Sequence, residues 1–95
     1  MTTQRPIVEL IDLLGKKWVM RIIWELKDDQ CTFRELQSRC GDISPTIINR
    51  RIKELSDSRL VEKADSGYQL TTHGHELLEL FNPINEFAQR WAERQ

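Results

Sequence analysis

The feature that most constrains the fold of this chain is a pair of helix starts separated by a glycine. Thr32 and Glu35 have the capping-box spacing, in which each side chain bonds the other residue's backbone N–H. The short helix that they begin is expected to stop at Gly41, since glycine readily takes the left-handed conformation that ends helices. Ser44-Pro45 then begins a second helix with a capping serine and a first-turn proline. Two helices with so short a connection predict a helix-turn-helix over residues 33–58.

Two helices are predicted before this unit and one after it. Their apolar residues recur at three- and four-residue spacing, the pattern of a helix with one buried face. The stripes are Ile7, Leu10, Ile11 and Leu14 in residues 6–15; Val19, Ile22, Ile23 and Leu26 in the next helix; and Leu77, Leu80, Phe81, Ile84, Ala88 and Trp91 in residues 72–94. Pro83 lies inside the last helix and is expected to kink or break it, because proline removes one backbone hydrogen bond.

The stretch between the helix-turn-helix and the last helix is predicted to form a β-hairpin. Its strands are residues 60–64 and 68–71, and Asp65-Ser66-Gly67 supplies the turn. A hairpin in this place forms a short wing over residues 60–71. We therefore expect a mainly α fold with a small β-hairpin, as a single winged helix-turn-helix domain over residues 1–95.

The charge of the chain is nearly balanced but unevenly distributed. Lys and Arg number 14 and Asp and Glu 15, so the net charge is −1, which taken alone argues against a nucleic-acid binder. Residues 44–63, however, carry five basic and three acidic side chains, whereas residues 73–95 carry two basic and four acidic ones. The distribution favours one modestly basic face on the second helix of the helix-turn-helix.

Several classes of protein are excluded by simple features. No apolar run approaches the roughly 18 residues of a membrane helix, and the N-terminus lacks the apolar stretch of a signal peptide. Two cysteines do not make a disulfide scaffold, so a reduced, cytoplasmic protein without membrane contact is predicted. Cys40 is expected to be buried and inert, Cys31 to be exposed, and Trp18 to pack in the core.

No catalytic or metal-binding motif is found. HExxH, paired CxxC, P-loop and nucleophile-elbow patterns are all missing from the sequence. His73 and His75 are two residues apart on a helix, so they face nearly opposite sides and cannot readily hold one metal ion. We predict no enzymatic activity, no metal and no cofactor.

Taken together, the motifs resemble the HxlR family of bacterial and archaeal winged helix-turn-helix regulators. The matching segments are Gly15-Lys16-Lys17-Trp18, Thr32-Phe33-Arg34-Glu35-Leu36, Ile43-Ser44, the series Ile48, Arg51, Ile52 and Leu55, Leu60-Val61, Leu70-Thr71 with Gly74, and Pro83 with Trp91. Their order and spacing carry the resemblance over almost the whole chain.

The resemblance implies a homodimeric transcription factor whose N- and C-terminal helices, residues 6–15 and 72–94, form the dimer interface. The residues expected there are Ile7, Leu10, Ile11, Phe81, Ile84, Phe87 and Trp91. Three features depart from the family pattern. Arg5 stands where many members have a sensing cysteine, the wing is shorter, and Ser58-Arg59 replaces the glycine that usually ends the recognition helix.

A recognition helix in the major groove would read bases with the outward side of residues 45–57. Arg50 is predicted to bond guanine and Asn49 adenine, since each side chain can make two hydrogen bonds to its base. The full set of predicted DNA contacts, including contacts to phosphate, is Thr32, Arg34, Ser44, Pro45, Thr46, Asn49, Arg50, Arg51, Lys53 and Lys63.

Other interpretations of these residues remain open at this point. The polar side of the helix is equally typical of a solvated surface, and winged helices also serve as protein-interaction modules that bind no DNA. A small-molecule effector between the domain and the dimer helices is a further alternative, and nothing in the sequence identifies a ligand.

Overall fold

The computed structural model describes residues 5–95. In chain order these residues form α1 (Pro6–Leu14), α2 (Val19–Glu25), α3 (Phe33–Arg39), α4 (Pro45–Asp57), β1 (Val61–Lys63), β2 (Tyr68–Leu70) and α5 (Thr72–Glu93). The prediction of a mainly α fold with one antiparallel hairpin is confirmed. Residues 1–4, which the predicted domain includes, lie outside the described range. None of the helices within that range is long and apolar enough to cross a membrane.

Both helices of the helix-turn-helix begin at the predicted caps. Thr32 Oγ1 accepts a hydrogen bond from the Glu35 N–H at 3.1 Å, and the Thr32 N–H donates to Glu35 Oε1 at 2.8 Å. Gly41 has a φ of 81° and ends α3, as predicted. Ser44 Oγ accepts from the Thr46 N–H at 3.1 Å and caps α4. Since caps fix where helices begin and end, these contacts set the direction in which α4 leaves the turn.

The apolar core lies where α2, α3 and α4 meet. Ile22, Leu36, Ile48 and Leu55 are fully buried, and burying such a side chain stabilises the fold by roughly 1.5–3 kcal/mol. The buried set is Val19, Ile22, Ile23, Leu26, Cys31, Leu36, Cys40, Ile48, Ile52, Leu55, Leu60, Val61, Leu70 and Leu77. Trp18 is half-buried against it. Because the inner side of α4 is packed into this core, its outer side faces solvent.

The wing is shorter than its predicted strands and is attached to the loop before α3. Val61 pairs with Leu70 and Lys63 with Tyr68. Tyr68 also exchanges backbone hydrogen bonds of 2.8 and 2.9 Å with Cys31. The expectation that Cys31 is exposed is therefore wrong: this extra pairing places it in the core, 1% exposed.

α4 ends in a left-handed residue, as helices often do, although this residue is an arginine and not a glycine. Arg59 has a φ of 62°, and its N–H donates to the Ser56 carbonyl at 3.0 Å. The Leu60 N–H donates to the Leu55 carbonyl at 2.9 Å, which completes a Schellman motif. Arginine in this conformation costs about 1 kcal/mol relative to glycine, and burial of Leu55 and Leu60 offsets that cost.

Of the two expected effects of Pro83, a kink or a break of the helix, the break does not occur. Residues Thr72–Glu93 form one helix with Pro83 inside it. Proline has no N–H for the carbonyl of Glu79, but Glu79 is exposed, so water can supply the missing bond.

Candidate nucleic-acid interface

The outer side of α4 is an exposed polar surface. Thr46, Asn49, Arg50 and Lys53 are all exposed, because the helical period of about 3.6 residues places them opposite the buried side. Within the described residues, the side chains of Asn49 and Arg50 make no hydrogen bond, so their donors and acceptors face solvent. Lys53 Nζ lies 3.2 Å from Asp57 Oδ2, with the two side chains 77% and 66% exposed. So exposed an ion pair is worth well under about 1 kcal/mol, and another anion can replace it.

The predicted contacts at the helix starts divide into two groups. The hydroxyl groups of Thr32 and Ser44 are engaged in their own caps. They therefore act by orienting the first turns of α3 and α4, whose free N–H groups attract anions. Arg34 and Pro45 are exposed in those first turns and face solvent directly.

The tip of the wing is folded back rather than extended. The Ser66 N–H donates to the side-chain oxygen of Gln30 at 3.1 Å, and the Ala64 N–H donates to the Gly67 carbonyl at 2.8 Å. Lys63 is exposed beside this tip, which itself carries the acidic Asp65. The tip of the wing therefore carries one basic and one acidic side chain, Lys63 and Asp65.

Arg51 differs from the other predicted DNA contacts because it faces the turn between α1 and α2. Its Nε donates to the Lys17 carbonyl at 2.9 Å, and its Nη1 lies 2.8 Å from Glu54 Oε1. Glu54 Oε2 also accepts from Lys16 Nζ at 2.7 Å. The hydrogen bonds from Lys16 and Arg51 lower the pKa of the Glu54 carboxyl.

Glu54 and Lys16 were not among the predicted site residues. The three-residue spacing of Arg51 and Glu54 on one helix could have indicated their contact. The approach of Lys16, 38 residues away, has no local signal in the sequence.

The three acidic residues of the basic segment 44–63 are each held by a neighbour. Glu54 bonds Lys16 and Arg51, Asp57 pairs with Lys53, and Glu62 Oε2 accepts from the Gln69 amide at 2.8 Å. The charges of Glu54 and Asp57 are therefore paired with basic side chains, whereas Glu62 has a neutral partner.

The outer sides of α1 and of α5 carry uncovered apolar side chains, and we call these two helix sides together the apolar surface of α1 and α5. Side chains here are between 41% and 63% exposed: Ile7, Val8, Ile11, Leu80, Ile84, Phe87 and Trp91. Leu10 and Phe81, also predicted for an interface, are half-buried against the core. Val8 and Leu80 join this surface without having been predicted, although Leu80 belongs to the stripe recognised in the sequence. A surface so apolar is typical of a protein contact.

An apolar groove of 390 Å³ continues this surface between α2 and α5. Met20, Trp24, Phe81 and Ile84 line it. Trp24 is 46% exposed, and Lys27 Nζ lies 4.4 Å from the centre of its ring. Trp18 and Trp24 thus occupy different surroundings, and only Trp24 is exposed.

The cysteines and histidines form no reactive or metal-binding group. Burial raises the pKa of the Cys31 thiol, although Arg39 Nη1 lies 3.0 Å from its sulfur, and burial also raises that of Cys40. Both thiols are therefore protonated near neutral pH. His73 faces Glu76 at 3.8 Å on the exposed side of α5. Across residues 5–95, no three His, Cys, Asp or Glu side chains stand close enough to hold a metal ion.

Proteins that this chain resembles in sequence are transcriptional regulators. Residues 13–95 match the HxlR-like helix-turn-helix family. An HTH-type transcriptional regulator of Methanocaldococcus jannaschii is 30% identical over 86 residues, which cover 85% of this chain and 80% of the relative. YodB of Bacillus subtilis, an HTH-type transcriptional regulator, is 31% identical over 88 residues, covering 85% of this chain and 79% of YodB.

Solved structures agree with this relationship. The quinone-bound structure of B. subtilis YodB has a TM-score of 0.83 and 31% identity, covering 88% of this chain and 96% of that one. A possible HxlR family transcriptional factor from Thermoplasma volcanium has a TM-score of 0.79 and 33% identity, covering 95% and 87%. The chain therefore belongs to the HxlR-like helix-turn-helix family and is a transcriptional regulator of the winged-helix type.

Proposed function

We propose that this protein is a cytoplasmic, sequence-specific DNA-binding regulator that acts as a homodimer on an inverted-repeat operator. The observation that carries the proposal is the outer side of α4, where Asn49 and Arg50 are exposed and unbonded within the described structure. A helix fits the major groove of B-DNA, and residues near its N-terminus reach base edges. α4 is the recognition helix of this proposal.

The exposed side chains suit distinct parts of a DNA site. Arg50 can donate to O6 and N7 of guanine, and Asn49 can bond adenine in the same two-point manner. Thr46 and Pro45 are placed to meet a thymine methyl or a phosphate. Arg34, Lys53 and Lys63, with the capped helix starts at Thr32 and Ser44, would contact phosphates, which position the protein without reading sequence.

The apolar surface of α1 and α5 supports the dimer. Ile7, Ile11, Ile84, Phe87 and Trp91 are each more than half exposed in the protomer, whereas burying them against a second copy would remove that surface from water. Leu10 and Phe81 would back the same interface from the core side. A two-fold dimer would then present two recognition helices about one helical turn of DNA, near 34 Å, apart.

Selection of bound duplexes from a random pool at two salt concentrations tests this function. We expect an inverted repeat to be enriched and the affinity to fall with salt by a slope near the number of phosphates neutralised. In the selected site, Arg50→Ala should relax base preference at one position, whereas Arg34→Ala should weaken binding to all sequences alike. Equal behaviour of the two variants would contradict these roles.

A protein-interaction module is the second candidate function. The acidic Asp65 at the folded-back wing tip and the net charge of −1 favour it, because both reduce attraction to phosphates. The same selection decides between the candidates: a pool without enrichment at low salt would favour the protein partner.

A small-molecule effector would refine the first function. The YodB structure is bound to a quinone, and in this chain the apolar groove lined by Met20, Trp24 and Phe81 is the place for a flat apolar ligand. Quenching of Trp24 fluorescence by a quinone, with Trp24→Phe as control, tests this assignment. Equal quenching of the wild type and of Trp24→Phe at each quinone concentration would contradict it.

A further inference from the structure

We infer that Arg51 and Glu54 are positioning residues that fix α4 to the turn between α1 and α2, and thereby set the half-site spacing at which the dimer binds. The inference rests on the proposed function, since it concerns how two copies of α4 reach one operator. Its basis is a group of polar contacts that we name the α1–α4 clasp: the side chains of Lys16, Arg51 and Glu54 with the carbonyl group of Lys17.

The Glu54 carboxylate is the centre of the clasp. One of its oxygens accepts from Lys16 Nζ at 2.7 Å and the other from Arg51 Nη1 at 2.8 Å. Arg51 Nε donates to the Lys17 carbonyl at 2.9 Å. Because the guanidinium is planar and rigid, it cannot rotate toward a phosphate without losing both bonds. The Arg51 side chain is only 17% exposed, which agrees with an internal role.

The turn that the clasp holds has an unusual backbone. Trp18 has a φ of 79°, a region that side chains other than glycine rarely adopt, and α2 begins there without a side-chain cap. A residue keeps such a conformation only where its surroundings hold it. The carbonyl group that Arg51 bonds belongs to the peptide joining Lys17 to Trp18, so Arg51 contacts the turn at the strained position itself.

The clasp joins two parts of the chain that the proposed function uses differently. Lys16 lies two residues after the end of α1, whose apolar outer side belongs to the proposed dimer surface. Arg51 and Glu54 lie on α4, whose exposed Asn49 and Arg50 belong to the proposed base-reading side. Arg50 and Arg51 are adjacent in the sequence, but Arg50 faces solvent and Arg51 faces the turn between α1 and α2.

A fixed connection between these parts has a direct consequence for DNA recognition. Successive base pairs are about 3.4 Å apart, and two-point hydrogen bonds tolerate only small displacements. If α4 could tilt against α1, the two recognition helices would reach half-sites at several separations with similar affinity. With the clasp closed, one separation is favoured over its neighbours.

Arg51→Lys tests this role, because lysine keeps the positive charge but cannot make the Nε and Nη1 bonds together. The full chain is titrated by fluorescence anisotropy against inverted repeats built from the selected half-site, with spacers differing by single base pairs. We expect the preference of the wild type for one spacer to fall by about five- to tenfold, the net loss typical of one hydrogen bond. Affinity for a single half-site and the salt slope should stay unchanged.

Two further variants complete the test. Glu54→Gln removes the negative charge that Lys16 and Arg51 both contact, so it should also lower the preference for one spacer. This variant tests the inference if Arg51→Lys does not fold. Arg21→Lys makes the matched substitution on an arginine of α2 that also bonds a carboxylate, of Glu25, and a backbone carbonyl, of Arg39, and it should keep the preference of the wild type.

Each remaining outcome contradicts a definite statement. If both clasp variants keep the wild-type spacer preference, the inference is wrong. If Arg51→Ala weakens all spacers alike and lowers the salt slope by about one, Arg51 is a phosphate contact instead. Failure of the wild type to bind any selected duplex would overturn the proposed function itself, and the inference with it.

Discussion

The backbone of Gly67 lies directly against the carbonyl group of Cys31. A Cβ atom at position 67 would overlap the carbonyl oxygen and carbon of Cys31 and the nitrogen of Thr32. The contact follows from the pairing of Tyr68 with Cys31, which brings the wing turn onto the segment that precedes α3. Gly67 is therefore required by close approach of two backbones rather than by turn geometry alone.

We expect Gly67→Ala to destabilise the protein by about 2 kcal/mol or more, since overpacking forces backbone shifts of that magnitude. Urea unfolding monitored by circular dichroism measures the effect. Gly41→Ala is the matched control: nothing lies within 4 Å of its added Cβ, so only the left-handed φ opposes it, at roughly 1 kcal/mol. A smaller loss at Gly67 than at Gly41 would contradict this account of the wing.

Arg59→Gly should stabilise the protein by about 1 kcal/mol, because glycine adopts the left-handed conformation at the end of α4 without the penalty that arginine incurs. The midpoint of urea unfolding is the measurement. Ser58→Gly serves as control, since Ser58 has a φ of −87° and glycine there only gains freedom in the unfolded chain. Equal shifts in both variants would show that the helix end is not strained at Arg59.

The beginnings and ends of the helices show what local sequence signals can and cannot predict. The caps at Thr32 and Ser44 were predictable because a cap depends on residues within three positions of each other. The left-handed end at Arg59 was not, because the surrounding packing of Leu55 and Leu60 overrides the preference of arginine. Local propensity decides a helix end only where tertiary contacts leave the choice open.

The same distinction applies to the candidate site. The exposed side of α4 follows from helical periodicity, so Asn49 and Arg50 were found from the sequence. Arg51 has the same chemistry as Arg50, and its contact with Lys17 depends on how the turn after α1 packs. Cys31 was misjudged for a similar reason, since its burial depends on pairing with Tyr68, 37 positions away. The spacing of residues in the sequence does not indicate contacts between segments that are far apart in the chain.

The clasp predicts a dependence of stability on pH. Lys16 and Arg51 lower the folded pKa of Glu54 below its ordinary value of 4.5. A carboxyl with a depressed folded pKa stabilises the fold above its unfolded pKa, and this stabilisation is lost as the pH falls through the folded value. Glu54→Gln should therefore be less stable than the wild type at pH 7, and the difference should shrink as the pH falls below about 4.

Urea unfolding of both proteins at several pH values between 7 and 3 measures this difference. Because Glu54 is partly exposed, the expected effect is of the size of a solvent-screened ion pair, about 1 kcal/mol or less. In a Lys16→Met background the effect of Glu54→Gln should be smaller, since one of the two stabilising partners is gone. A difference between wild type and Glu54→Gln that is constant from pH 7 to pH 3 would contradict the role of the carboxylate.

The apolar surface of α1 and α5 predicts how the dimer can be broken without unfolding the protomer. Phe87 is 54% exposed and belongs to the same stripe as Ile84 and Trp91. Phe87→Glu would place a charge in the proposed interface, where desolvation without a partner is strongly unfavourable. We expect the dissociation constant of the dimer to rise by about a hundredfold or more, which corresponds to roughly 3 kcal/mol. Sedimentation velocity across a concentration series measures the change.

Gln89→Glu adds the same charge two residues further along α5, on nearly the opposite side of the helix, and should leave the dimer intact. Circular dichroism should show both variants folded, because Phe87 lies outside the buried core. Dimers of equal strength in the two variants would exclude this stripe as the interface.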